Sequence, residues 1–187
     1  MRFCVGTMKV YPLRFNLFLA LSVLLAPLCG CSVFGHKNEP VASLRVCIEM
    51  QPNSPGPANP TQTVSVLRSN PVQVTIDKDP ILTEANVIAA KVINTPESPA
   101  IDIRFDDNGT WILEQYSASN PGRHLAIYAQ WGKKKLKNNR WIAAPLITGR
   151  INNGILSFTP DMSLIEANDF VQGLNDVAKQ FQTKPIE

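Results

Sequence analysis

From residue 44 onward the apolar positions of the chain follow two kinds of pattern. Short runs in which apolar and polar residues alternate, or in which Val, Ile and Ala crowd together, occupy residues 44–50, 63–68, 72–76, 87–93, 100–105, 125–131 and 141–147. A period of two puts alternate side chains on opposite faces, so these runs predict strands. Near the C-terminus the spacing changes. Leu164, Ala167, Phe170, Val171, Leu174, Val177, Ala178 and Phe181 recur every three or four residues and form one apolar stripe, which predicts a long helix. Ser163, with Glu166 three residues later, matches a capping box that starts it. A shorter helix is expected over residues 110–119, with Asp107 or Asn108 capping its start and Asn120-Pro121-Gly122 ending it. Thr83 and Glu84 suggest a single helical turn.

The segments between these runs set the topology. Pro52, Pro55, Pro57 and Pro60 lack the amide donor and fix φ, so the connector after residue 50 is expected as an exposed loop. Residues 132–139 read as the loop of a hairpin between the strands at 125–131 and 141–147. The expected fold is α+β: a mostly antiparallel sheet with a long C-terminal helix and a shorter helix packed on it, forming one domain over residues 44–187.

The first thirty residues follow a different logic. Arg2, Lys9 and Arg14 precede an apolar run over residues 15–28, which ends in Leu28-Cys29-Gly30-Cys31. A bilayer span needs roughly 20 apolar residues, and this run is shorter and interrupted by Asn16, Ser22 and Pro27. A basic segment, a short apolar segment and a small residue before a cysteine resemble a bacterial lipoprotein signal, in which residues 1–30 are removed and Cys31 is acylated. An ordinary secretory signal or an uncleaved anchor is the alternative. Residues 31–43 then read as a polar tether containing His36. Ser32, not an aspartate, follows Cys31, which favours the outer membrane over the inner. The expected location is the cell envelope, lipid-anchored on the periplasmic side.

Removing that signal changes the charge and cysteine picture. Of the 187 residues 157 remain, a length that suits one domain with its own core. The whole chain carries 18 basic and 15 acidic residues, and three of the basic ones lie in the signal. The remainder is balanced, which removes the main support for nucleic-acid binding. Cys4 and Cys29 leave with the signal and Cys31 carries lipid, so only Cys47 remains and no intramolecular disulfide is expected. Its place in an alternating run marks it as a small buried side chain.

Candidate chemistry is sparse. His124 and Ser117 lack a nucleophile-elbow setting, and a triad with Asp102 is the one catalytic arrangement to consider, as an uncharacterised hydrolase. No zinc-type spacing or phosphate-binding glycine loop occurs, so neither metal nor cofactor is expected. Asp106-Asp107 sits at a strand-to-helix turn, where such residues ordinarily cap, with cation binding as the alternative. Trp111, Tyr116, Tyr128, Trp131 and Trp141 are candidates for a peptide groove or for the core, since aromatic rings combine apolar area with a polar handle. Beside Trp131, Lys133, Lys134 and Lys135 make a basic hairpin tip. Such a run between strands ordinarily keeps a turn solvated; the functional reading is contact with anionic lipid or a partner's acidic patch.

Several motifs resemble the head subdomain of the first periplasmic domain of SecD and SecDF. They are Asn120, Gly122, Leu125, Ala126 and Ile127, then Ala144, Pro145 and Ile147, then Ile151, Gly154, Phe158, Ala167 and Leu174. The likeness covers about residues 72–180 and leaves residues 44–68 unmatched. It implies protein binding: a non-catalytic module holding exported polypeptide or a translocation partner such as a Sec translocon component, through a groove or an exposed sheet edge. The competing expectation is a structural envelope-assembly lipoprotein without export substrates. SecD draws on proton flow through membrane-spanning helices, so this domain is not expected to be a motor by itself.

Overall fold

The computed structural model describes residues 42–50, 60–96, 98–133 and 136–182. Cys31, His36, the greater part of the proline-rich connector, Lys134 and Lys135 lie outside the described residues. The strands are β1 (Ser43–Ile48), β2 (Thr61–Val66), β3 (Val72–Asp77), β4 (Leu82–Thr83), β5 (Val87–Asn94), β6 (Pro99–Phe105), β7 (Leu125–Lys133), β8 (Leu136–Ala143) and β9 (Ile155–Phe158). The helices are α1 (Asp107–Ser119) and α2 (Leu164–Gln182), and a 3-10 turn at Glu84–Asn86 follows β4, capped by Thr83. All ladders are antiparallel, which bears out the α+β expectation.

The strands form three groups: a four-stranded sheet ordered β4-β1-β7-β8, a three-stranded sheet ordered β5-β6-β9, and a two-stranded ribbon of β2 and β3. Alternation decides which side chains meet. Leu44, Val46 and Ile48 of β1 join Leu125, Ile127, Ala129 and Trp131 of β7 in the main cluster. Ile101, Ile103 and Phe105 of β6, Leu156 and Phe158 of β9, and Leu113 of α1 fill the same cluster. Its largest helical contribution comes from Ala167, Phe170, Leu174 and Ala178 of α2, all at most 1% exposed. Burying a large apolar side chain contributes about 1.5–3 kcal/mol. The helix therefore holds its position by this stripe. The stripe is shorter than the spacing predicts, because Leu164 and Phe181 at its two ends are half exposed.

The opposite face of the four-stranded sheet makes a second, smaller cluster. Cys47 and Ala126 pack against Val64, Val66, Val74 and Ile76 of the ribbon. Burial, with Asp77 adding to it, pushes the Cys47 thiol up to about 11, so it stays protonated and behaves as an apolar side chain at neutral pH. Arg68, just past β2, ties the ribbon to the segment before α2. Its backbone N–H and its Nε both donate to Asp161 Oδ2, at 2.8 Å and 3.0 Å.

Two expectations about element ends are corrected. The basic stretch after Trp131 is ladder, not loop: Trp131 faces Asn138, Gly132 faces Lys137 and Lys133 faces Leu136. Polar side chains leave no apolar alternation to read, yet the backbone ladder needs none. Past Ala143 the chain leaves the ladder, Pro145 having no N–H to give, and stays beside the start of β7 through a bridge between Leu146 and His124 and a bond from Leu125 N to Pro145 O. The shorter helix starts three residues early. Its cap is Asp106, whose Oδ1 accepts from Gly109 N at 2.6 Å, not Asp107 or Asn108. Gly109 disguised that first turn, and it is required there: a Cβ would stand 2.9 Å from Phe105 Cβ. The capping box of α2 is present, with Ser163 N donating to Glu166 Oε2 at 2.9 Å and Glu166 N to Ser163 Oγ at 3.3 Å.

Candidate functional site

Side chains singled out for chemistry go to separate places. His124 Nδ1 lies 2.6 Å from Glu49 Oε2, and His124 N donates to the same oxygen at 2.8 Å, joining the ends of β1 and β7. Ser117 is 1% exposed; its hydroxyl donates to Glu114 O and accepts from Ile151 N. Asp102 Oδ1 accepts from Ser157 Oγ at 2.6 Å while Lys91 pairs with Oδ2. The three residues of the conceivable triad are thus each engaged by a different structural partner.

Trp131, expected at a partner-binding tip, is instead 1% exposed. Its ring meets Phe170 of α2 edge to face at 6.4 Å, and the Arg140 guanidinium lies over it, 4.7 Å from the centroid. Arg140 Nη2 also donates to Asp161 O at 2.8 Å and Glu166 Oε1 at 3.2 Å. Trp131 therefore pins the β7–β8 hairpin to α2. The reason is its parity: it shares a face with Ile127 and Ala129, the inward face of β7. Lys133 ends β7 as that strand's last residue.

The aromatic residues that do reach the surface are on α1. Leu113 and Ser117, four apart, point inward, so Trp111 and Tyr116 fall on other faces of the helix and are 59% and 38% exposed. Together with Ile48, Met50, Ile81 and Ile112 they line a groove of about 690 Å³. Asp77 and Asp79 border it, and Arg123 stands at the same groove. The arrangement offers apolar area with both signs of charge near it, suited to holding a chain by contact. Tyr128 and Trp141 by contrast pack on each other edge to face at 5.4 Å. The sequence named all five aromatics without sorting them; strand parity sorts Trp131, and the inward face of α1 set by Leu113 and Ser117 sorts Trp111 and Tyr116.

Residues 61–178 match the family model described as SecDF, P1 head subdomain. The chain belongs to this SecDF P1 head family. The match starts at β2, so the ribbon is part of the P1 head, eleven residues before the stretch on which the resemblance was read. The motif residues serve its shape. Gly122 turns the chain at φ +79° ahead of β7, Gly154 does so at φ +67° ahead of β9, and Ile147, Phe158, Ala167 and Leu174 are buried. Two solved structures are similar. One is of SecDF described as a membrane component that enhances protein export, 16% identical, with 91% of this chain and 71% of that chain covered and a TM-score of 0.49. The other is SecDF in a super-membrane-facing form, 18% identical, with 72% of this chain and 18% of that one covered and the same TM-score of 0.49. No curated protein matches the chain. Among the described residues, no helix of this P1 head chain is long and apolar enough to cross a membrane.

Proposed function

We propose that this P1 head holds exported polypeptide, or a component of the translocation machinery, by contact and without bond-making. The groove bearing Trp111 and Tyr116 carries the reading, because exposed aromatic rings beside an apolar floor suit side chains of an unfolded chain and make few demands on sequence. Family membership supports it, since a relative in that family is described as enhancing protein export. Anchorage completes the reading: Cys31, acylated after removal of residues 1–30, ties the domain to the periplasmic side of an envelope membrane, with the outer membrane favoured. Lys133, Lys134 and Lys135 add a cationic contact point for a partner.

A photo-crosslinking residue placed at Trp111, and a second at Lys134, tests this in cells. The expected result is adducts with unfolded secretory chains or translocation components. Adducts confined to stable envelope proteins would favour the structural-lipoprotein reading instead. Mass analysis of the mature N-terminus checks the anchor, with an acylated Cys31 expected and an unmodified terminus contradicting it.

A further inference from the structure

The outer edge of β9 carries backbone groups that the fold leaves open. Phe105 N donates to Gly154 O at 2.9 Å, in register with the β6–β9 ladder, so Phe105/Gly154, Ile103/Leu156 and Ile101/Phe158 are its bonded pairs. The intervening residues, Ile155 and Ser157, then turn their N–H and C=O groups away from β6. Ile155 N–H is taken by Asn153 Oδ1 at 3.1 Å. Among the described residues no group pairs with Ile155 O, Ser157 N or Ser157 O. Leu156 and Phe158 meanwhile fix the strand in the core.

This edge borders a groove of about 330 Å³, whose other bank is the segment after β8. There Leu125 N donates to Pro145 O and Ile147 N to Arg123 O, so Leu146, between them, turns its own N–H and C=O away from β7. No described group pairs with those either, and the Leu146 side chain is 51% exposed. Two banks of unpaired donors and acceptors thus line one groove. Arg150, also in its lining, is paired with Glu114, so the groove offers mainly backbone and neutral side-chain partners.

We infer that this groove receives one extended polypeptide segment as an added strand against β9, with Leu146 bonding its other edge. The inference rests on the polypeptide-binding reading and adds to it a second groove, which works by backbone capture. An extended chain matches such banks because its own N–H and C=O groups alternate from side to side, whatever its side chains. On β5 and β8 some outward groups are already engaged. Asn175 of α2 accepts from Ala90 N at 2.7 Å and donates to Ala90 O at 2.9 Å, Gln182 donates to Ile88 O, and Asp161 N donates to Ile142 O of β8. A strand seated in the groove would join the three-stranded sheet to the flank of the four-stranded one.

The test uses the full chain and an eight-residue peptide of alternating valine and threonine. Adding the peptide should slow amide exchange at Ser157 and Leu146 at least tenfold. Ser157→Pro removes an N–H that the fold does not use and should weaken peptide binding at least tenfold, whereas Ser157→Ala, which loses only the bond to Asp102, should bind within twofold of the parent. If Ser157→Pro binds normally while Trp111→Ala loses binding, strand addition is overturned and the polypeptide reading stands. If the parent chain binds no peptide, both fall. Ser157 protection that rises with protein concentration alone would identify a second copy as the occupant and overturn the proposal.

Discussion

The two outer strands of the three-stranded sheet end in opposite ways. On β5 the carboxamide of Asn175 accepts from Ala90 N–H and donates to Ala90 C=O, taking the place that a neighbouring strand's peptide group would hold. On β9 the corresponding groups of Ser157 face a groove. An open edge is an aggregation hazard that folded proteins ordinarily cover. The difference teaches that this fold has the means to close an edge, a helix laid along it with one amide at the right height, and uses it on one side only. β9 is held short, four residues, which limits the hazard while leaving the backbone available.

The comparison breaks most severely if the cover is loosened. Leu174→Ala empties a fully buried position of α2 and is expected to cost about 2–5 kcal/mol in a denaturant titration. Gly154→Ala attacks the open side instead. At φ +67° an alanine is strained, and its Cβ would run into Thr110, so a loss of about 1–3 kcal/mol is expected, with disturbance at the start of β9. Asn175→Ala sharpens the comparison, since it converts the closed edge into an open one. Two buried-side backbone groups lose their partners, at about 1–3 kcal/mol, and amide exchange at Ala90 should accelerate toward that of Ser157. An unchanged Ala90 rate would show that the helix, not the amide, protects this edge.

The smallest effect is expected from acid. The Arg68 hydrogen bond holds the Asp161 carboxyl below its ordinary value, outweighing the opposing effect of burial. For Glu166, burial raises the value, but the bonds from Ser163 and Arg140 together bring it below normal. Both carboxylates bind a proton more readily in the unfolded chain. Their contribution is therefore complete above the ordinary carboxylate range, near 4, and fades as pH falls through the lower folded values. Asp161→Asn should flatten that part of the stability profile measured by thermal unfolding against pH. A profile identical to the parent's would contradict the role given to Arg68.

Much of this was legible in the chain. The strand periods, the capping box at Ser163 and the buried Cys47 follow from local pattern, because one-sided burial imposes a period of two or of 3.6. The shorter helix was mistimed because Gly109 is a poor helix former that a close approach by Phe105 demands. Trp131 was misassigned because a ring next to lysines looks like a surface tip, while its strand parity places it inside. The edges were not legible at all. Asn175 meets Ala90 across 85 positions of sequence, and nothing local marks it as a strand's stand-in. Sequence pattern reports which face a side chain takes, but not which backbone groups remain without a neighbour.

Amide exchange read at two residues tests the account most directly. In the free full chain Ala90 should exchange slowly and Ser157 quickly, and an excess of extended peptide should slow Ser157 at least tenfold while leaving Ala90 as it was. Equal rates at the two amides before addition, or a Ser157 rate that the peptide does not move, would contradict it.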